Sequence, residues 1–167
     1  MNLNGQLEAA FNDQVTLELE ASMVYRQLAV EMELLDLPGI AGWFRTQAQE
    51  EIAHAEKFIA HMVDREAHPR IGAMHAPSVS ATSVLEAFES SLTHEQRVSD
   101  AIRNLYRTAQ QQGDIDALPM LSWFVSEQLE EEATVNAIIG RVRLIGEDGN
   151  GLLSLDAELG ARQGAKT

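Results

Sequence analysis

Glu51 and His54 stand three residues apart in a stretch whose apolar residues recur at helical spacing, so both side chains project toward one point. Such a pair binds a cation if it faces a core and is an ordinary surface pair if it does not. The stripe Phe44, Gln47, Glu51, His54, Phe58, Met62 lies on one side of a helix and points the pair inward. Three other stretches carry a glutamate in the same way: Phe11, Val15, Glu18, Ser22, Tyr25, Ala29, Met32; then Leu85, Phe88, Leu92, Glu95, Val98, Ile102, Leu105; then Trp123, Glu127, Glu131, Thr134, Ile138. Glutamates enter cores when paired or bound to a cation. Glutamates at matching heights on four helices, with one histidine, therefore require a multivalent cation inside a bundle. Mixed carboxylate and imidazole ligation suits iron or manganese, and a bridging carboxylate can hold two cations close together. Without any thiolate, the set reads as a di-iron centre rather than structural zinc, with zinc the competing ion. Mutual repulsion makes the empty site costly, so some carboxylates must be protonated or metal-bound.

The elements that must carry these residues are four long helices and a short fifth. The first is expected from about Leu3 to Leu34, ending at the Asp36-Leu37-Pro38-Gly39 turn; the second runs from about Ile40 to Glu66. Residues 67–82, with Pro69 and Pro77, have no helical period. Ser83-Val84-Leu85-Glu86 is a capping box opening the third helix, which Gly113 ends after about Gln112. Asp114 or Asp116 caps the fourth, which tolerates Pro119 in its first turn and stops near Ile145, before Gly146. Nothing in the sequence explains Gly140 inside that helix. The short fifth helix spans about 152–160. The short turns make helices one and two antiparallel, and likewise three and four. A helix here is ~40 Å long, and the 67–82 segment can extend to roughly 50 Å. It can therefore cross the full bundle and let helices two and three run parallel. The expectation is an all-α single domain over 1–167: a four-helix bundle over about 3–145, with one long crossover between helices two and three.

Composition agrees. Of 167 residues, 45% are hydrophobic and 5% aromatic, and the 4 prolines leave room for long helices. The absence of cysteine excludes a disulfide frame and a thiolate site. The formal charge of −14 argues against nucleic acid as a partner. Met1 to Glu8 lacks the blocks of a signal peptide and no apolar run is long enough for a membrane, so a cytoplasmic protein with no membrane partner is expected.

Gln49-Glu50-Glu51-Ile52-Ala53-His54, Leu92-Thr93-His94-Glu95-Gln96 and Trp123-Phe124-Val125-Ser126-Glu127-Gln128-Leu129-Glu130-Glu131-Glu132 resemble the non-haem bacterial ferritins, and the resemblance extends over about the whole chain. The helix order is also that of the ferritin-like carboxylate proteins, with Glu130 where a second Glu-x-x-His motif would have its histidine. The resemblance implies a first iron site of Glu18, Glu51 and His54, and a second of Glu51, Glu95 and Glu131, bridged by Glu51. It implies a third iron site of Glu50, Glu127, Glu130 and Glu131, with Tyr25 and Gln128 as polar neighbours of the centre. It further implies oxidation of Fe²⁺ by O₂ or peroxide, and a hollow twenty-four-subunit shell storing ferric mineral. Asp114 and Asp116 fall at the helix three–four junction, which in ferritins lines the threefold pores.

The rivals are weaker. Bacterioferritin would have a second histidine and a haem-ligating methionine, where this chain has Glu130 and Ile52, so no haem is expected. A rubrerythrin-like peroxidase would also have that histidine, and usually a cysteine-ligated iron. A DNA-protecting mini-ferritin would have a basic arm and a site between subunits. A metal-free structural bundle would leave four buried glutamates unpaired. Tyr25 is as well suited to filling core as to redox work, Trp123 is read as core, and Met32 and Met62 as core fillers. Glu132, His61, His68, His75 and His94 are read as surface residues.

Overall fold

The computed structural model describes Leu3 and residues 5–161; the outer limits of the expected 1–167 domain lie outside the described residues. Five helices follow in order: α1 (Gly5–Leu34), α2 (Pro38–Asp64), α3 (Val84–Gln111), α4 (Leu118–Ile145) and α5 (Gly149–Ala161), with no strand among the described residues. The first four form the bundle. The helices begin and end close to their expected residues, although Pro38 begins α2 because a proline costs nothing in a first turn, and α5 is longer than expected at both ends. Ser83 caps α3 as expected, its hydroxyl accepting from the Glu86 N–H at 3.2 Å. The Glu86 carboxylate reaches back to the N–H of Thr82 at 2.7 Å. Gly113 and Gly146 take positive φ, 68° and 59°, where a side chain would be strained.

The crossover is pinned. Its N–H groups at His68, Arg70, Gly72 and His75 donate to the side chains of Glu8, Asn12, Thr16 and Glu20 on α1, at 3.4, 2.6, 2.8 and 2.9 Å. Four helical residues rise ~6 Å, about the length of two extended residues, so one polar stripe of α1 matches the alternate amides of residues 68, 70 and 72, and then that of His75 three residues on. Running toward the carboxyl end of α1, the strap delivers α3 parallel to α2.

α5 locks the opposite end. Asp156 Oδ1 accepts from the Ile40 N–H at 2.7 Å and so caps α2, which has no side-chain cap of its own. The approach is close enough that a Cβ on Gly39 would lie 2.0 Å from the Asp156 carbonyl oxygen. Arg141 and Glu158 join α4 to α5 through two contacts of 3.0 and 2.5 Å.

The apolar core is in two parts. One holds Tyr25, Met32, Phe44, Phe88 and Ile138 toward the α5 end; the other holds Phe11, Phe58, Met62, Ile102 and Phe124 toward the opposite end. Between them lies a polar layer of buried Gln14, Glu18, Ser22, Glu51, His54, Ser91, Glu95, Ser99 and Gln128. The α4 stripe is corrected here: Leu121, Phe124, Gln128, Val135 and Ile138 face inward, while Trp123 and Thr134 face out and Glu127 and Glu131 sit at the edge.

Candidate metal centre

Within the polar layer, three sets of ligand atoms each lie within 4.8 Å of one another: Glu18, Glu51, His54; Glu51, Glu95, Glu131; and His54, Glu127, Glu131. Glu51 belongs to two sets, and so do His54 and Glu131. The two His54 nitrogens face different partners: Nδ1 is 3.5 Å from Glu51 Oε2, and Nε2 is 3.9 Å from Glu131 Oε1. Four atoms of these residues, Glu18 Oε2, Glu51 Oε2, His54 Nδ1 and Glu131 Oε2, are buried without a hydrogen-bond partner. A buried polar atom without a partner costs roughly 1–3 kcal/mol, and carboxylate and imidazole lone pairs aimed at a common point are recovered by a cation. The donor set therefore fits one.

Glu18 and Glu95 are also held by side-chain donors. Gln14 Nε2 donates to Glu18 Oε1 at 2.8 Å. The Tyr25 hydroxyl donates to Glu95 Oε1, and Gln128 Nε2 donates to Glu95 Oε2 at 2.9 Å. Ser99 adds a donor–acceptor link, its hydroxyl donating to Glu132 Oε1 at 2.5 Å and accepting from Gln128 Nε2 at 3.3 Å.

Electrostatics mark the cost of crowding carboxylates in this layer. Burial, followed by the charge of Glu51, holds Glu18 well above the usual carboxylate range. Burial, then Glu95 and Glu131, does the same to Glu51. Glu131 is pushed up to about 10 by burial and by Glu95, Glu18 and Glu127. Burial and Glu95 raise the Tyr25 phenol. Each of these shifts favours the protonated carboxyl, and a multivalent cation competes with those protons.

Of the residues expected from the sequence, Glu18, Glu51, His54, Glu95, Glu127 and Glu131 come together, with Tyr25 and Gln128 on Glu95. Glu130 is exposed, and Glu50 accepts from Gln47 Nε2 at 2.8 Å; among the described residues neither joins a ligand set. Gln14 was missed, and its one signal was a position one turn before Glu18. Trp123 is not core: it is 39% exposed, with its ring edge-on to His54 at 5.8 Å between centroids. His94 is not a surface residue either. Burial, then Arg97, pulls its imidazole down to about 4, and its Nε2 is buried without a partner. His61 is half-buried against Phe11, with ring centroids 5.5 Å apart. Asp114 is occupied: it takes two bonds from buried Arg65, at 3.0 and 2.9 Å, and accepts from the Ala117 N–H at 3.2 Å.

Residues 8–145 match the ferritin-like domain model. The chain is 37% identical over 160 residues to a bacterial non-heme ferritin of Staphylococcus aureus strain USA300, covering 96% of each chain. It is 32% identical over 157 residues to one of Escherichia coli O6:H1, covering 94% of this chain and 95% of the relative. An open pore ferritin from the hyperthermophilic archaeon Archaeoglobus fulgidus superposes with a TM-score of 0.93 at 34% identity, covering 95% of this chain and 98% of that one. A helix bundle of this order, a mid-core carboxylate layer, and near full-length relatives at these identities lead to one conclusion: the chain belongs to the ferritin family, alongside the bacterial non-haem ferritins.

Proposed function

We propose that this protein stores iron and is a ferroxidase, with iron as its substrate and cargo. Fe²⁺ enters the polar layer, two ions are held between Glu18, Glu51, His54, Glu95 and Glu131, and each gives an electron to O₂ or peroxide. The observation carrying this reading is the set of buried lone pairs without partners on Glu18, Glu51, His54 and Glu131, inside two ligand sets that share Glu51. Carboxylates stabilise Fe³⁺ more than Fe²⁺ because the ferric charge is larger, and so favour loss of the electron. The protons the metal-free site retains leave as the ions bind. A ligand set with one histidine and many carboxylates suits release of the ferric product better than permanent retention.

The family supports assembly into a twenty-four-subunit shell with the mineral inside, and a cytoplasmic location. No helix of the described residues is long and apolar enough to cross a membrane. A third iron position beside the pair belongs to the same reading. Its ligands are Glu127 and Glu131 together with Glu50 and Glu130 on the family pattern, or with His54 on the geometry of the metal-free site. At the α3–α4 turn, Asp116 is the carboxylate left to draw cations inward, since Asp114 is held by Arg65. The test is stopped-flow absorbance on mixing Fe²⁺ with the air-equilibrated protein. A fast ferric signal saturating near two ions per subunit is expected, and oxidation no faster than in buffer would overturn the reading.

A further inference from the structure

The candidate centre has an oxidisable neighbour. Trp123 meets the His54 ring edge-on, with the planes at 78°, and is partly open to solvent. Lys57, one turn beyond His54 on α2, places its ammonium nitrogen 3.5 Å from the centroid of the indole. One helix thus supplies both a ligand of the centre and a cation over the aromatic ring that adjoins it. An indole is among the side chains most easily stripped of one electron. A positive charge on its face stabilises the neutral ring and repels the radical cation.

We propose that Lys57 is a positioning residue that keeps Trp123 reduced, by holding positive charge over the indole beside the His54 ligand. The step it opposes is a one-electron transfer: Trp123 gives an electron to an oxidant, becomes a radical cation, and then loses its N–H proton to water. During turnover the oxidant is a hydroxyl radical formed when Fe²⁺ reduces peroxide, and it is itself reduced to hydroxide. Only this source of oxidant rests on the ferroxidase reading. The effect of Lys57 on the indole does not.

The test separates the two. In the metal-free, full-length protein, azidyl radicals, formed when radiolytic hydroxyl radicals oxidise azide, take one electron from tryptophan and return to azide; the indolyl radical then adds O₂, and peptide mass spectrometry counts oxygenated Trp123. Trp43, buried against Phe44 and Phe88, is the internal reference. Lys57→Met keeps the length of the covering chain and removes the charge. It should raise oxidation at Trp123 about fivefold, the rate factor a cation–π contact of ordinary strength carries, and leave Trp43 unchanged. Lys57→Arg, whose guanidinium also stacks on aromatic faces, should return Trp123 to the wild-type level. Equal Trp123 yields in wild type and Lys57→Met, a matching rise at Trp43, or an arginine variant that behaves like methionine would each overturn the proposal. Repeating the series with Fe²⁺ and peroxide tests the source: a Lys57 effect with azidyl radicals and no Trp123 oxidation with iron keeps the proposal and removes the iron chemistry beneath it.

Discussion

The α1–α2 half of the bundle and the α3–α4 half bring ligands to the same layer in different conditions. In the first half, Glu18 Oε2, Glu51 Oε2 and His54 Nδ1 are buried with no partner, and Gln14 steadies Glu18 by its other oxygen. In the second half, Glu95 has a donor on each oxygen, the Tyr25 hydroxyl on one and the Gln128 amide on the other. The first half presents three open lone pairs; the second presents one, on Glu131 Oε2, beside a Glu95 held by a network that a cation must share or displace. Buried polar atoms are left without partners where something else is meant to satisfy them. The two cation positions are therefore not equivalent before any ion arrives: the Glu18–Glu51–His54 position should fill first.

The residue common to both positions gives the largest effect. Glu51→Ala should abolish fast Fe²⁺ oxidation, because each position loses a ligand. The fold should survive, since removing one of several mutually repelling carboxylates relieves the empty layer. Stopped-flow rates and circular dichroism check both halves of that statement, and wild-type speed in the variant would remove Glu51 from the centre. The next effect is confined to the second half. Gln128→Leu removes a partner of Glu95 and should weaken the second cation about 10-fold or more, in line with other outer partners of metal ligands, while sparing the first. Anaerobic calorimetry with Fe²⁺ resolves the two steps, and equal weakening of both would erase the asymmetry.

Without metal, the layer should make stability depend on pH in an unusual direction. Glu18, Glu51 and Glu131 have folded pKa values raised above the ordinary 4.5, Glu131 to about 10. A raised value means that the folded chain holds protons the unfolded chain releases. The contribution is intact below about pH 4.5 and is lost as pH rises toward 10. The metal-free protein should therefore melt at a lower temperature at pH 9 than at pH 6, and Glu131→Gln should flatten that slope. A parallel slope in the variant would place the loss elsewhere on an acidic surface.

The sequence shows the first half more readily than the second. Glu51 and His54 lie three apart with Phe44, Phe58 and Met62 in strict phase around them, so their inward face is unambiguous. On α4, Glu127 and Glu131 lie at the edge of the buried face, and reading outward from them drew Trp123 and Thr134 into the stripe while Phe124, Gln128 and Val135 were the inward residues. A glutamate at a boundary satisfies two phases of the helix, and periodicity alone does not choose between them. The crossover was legible by length. Its seat on Glu8, Asn12, Thr16 and Glu20 was not, because those residues look like an ordinary solvated face until the strap is laid on them. The cap that Asp156 places on α2 is likewise tertiary and leaves no local mark.

The smallest effect decides where a third ion would sit in the second half. Glu127 and Glu130 are three apart on α4, yet Glu127 falls with His54 and Glu131, whereas Glu130 is exposed. If the geometry of the metal-free site persists on loading, Glu127→Ala should lower the Fe²⁺ bound per subunit and change the iron oxidised per O₂. Glu130→Ala should do neither. If the arrangement implied by the family pattern forms instead, α4 must turn the Glu130 carboxylate inward from solvent, Glu50 must exchange its bond from Gln47 for a cation, and the two alanine variants should lose the ion alike. Both substitutions spare the ligands proposed for the first oxidation, so the initial stopped-flow phase should keep its wild-type rate in each. Calorimetric counting of Fe²⁺, paired with oxygen-electrode stoichiometry, distinguishes the outcomes, and two variants indistinguishable from wild type would leave this chain a two-ion centre.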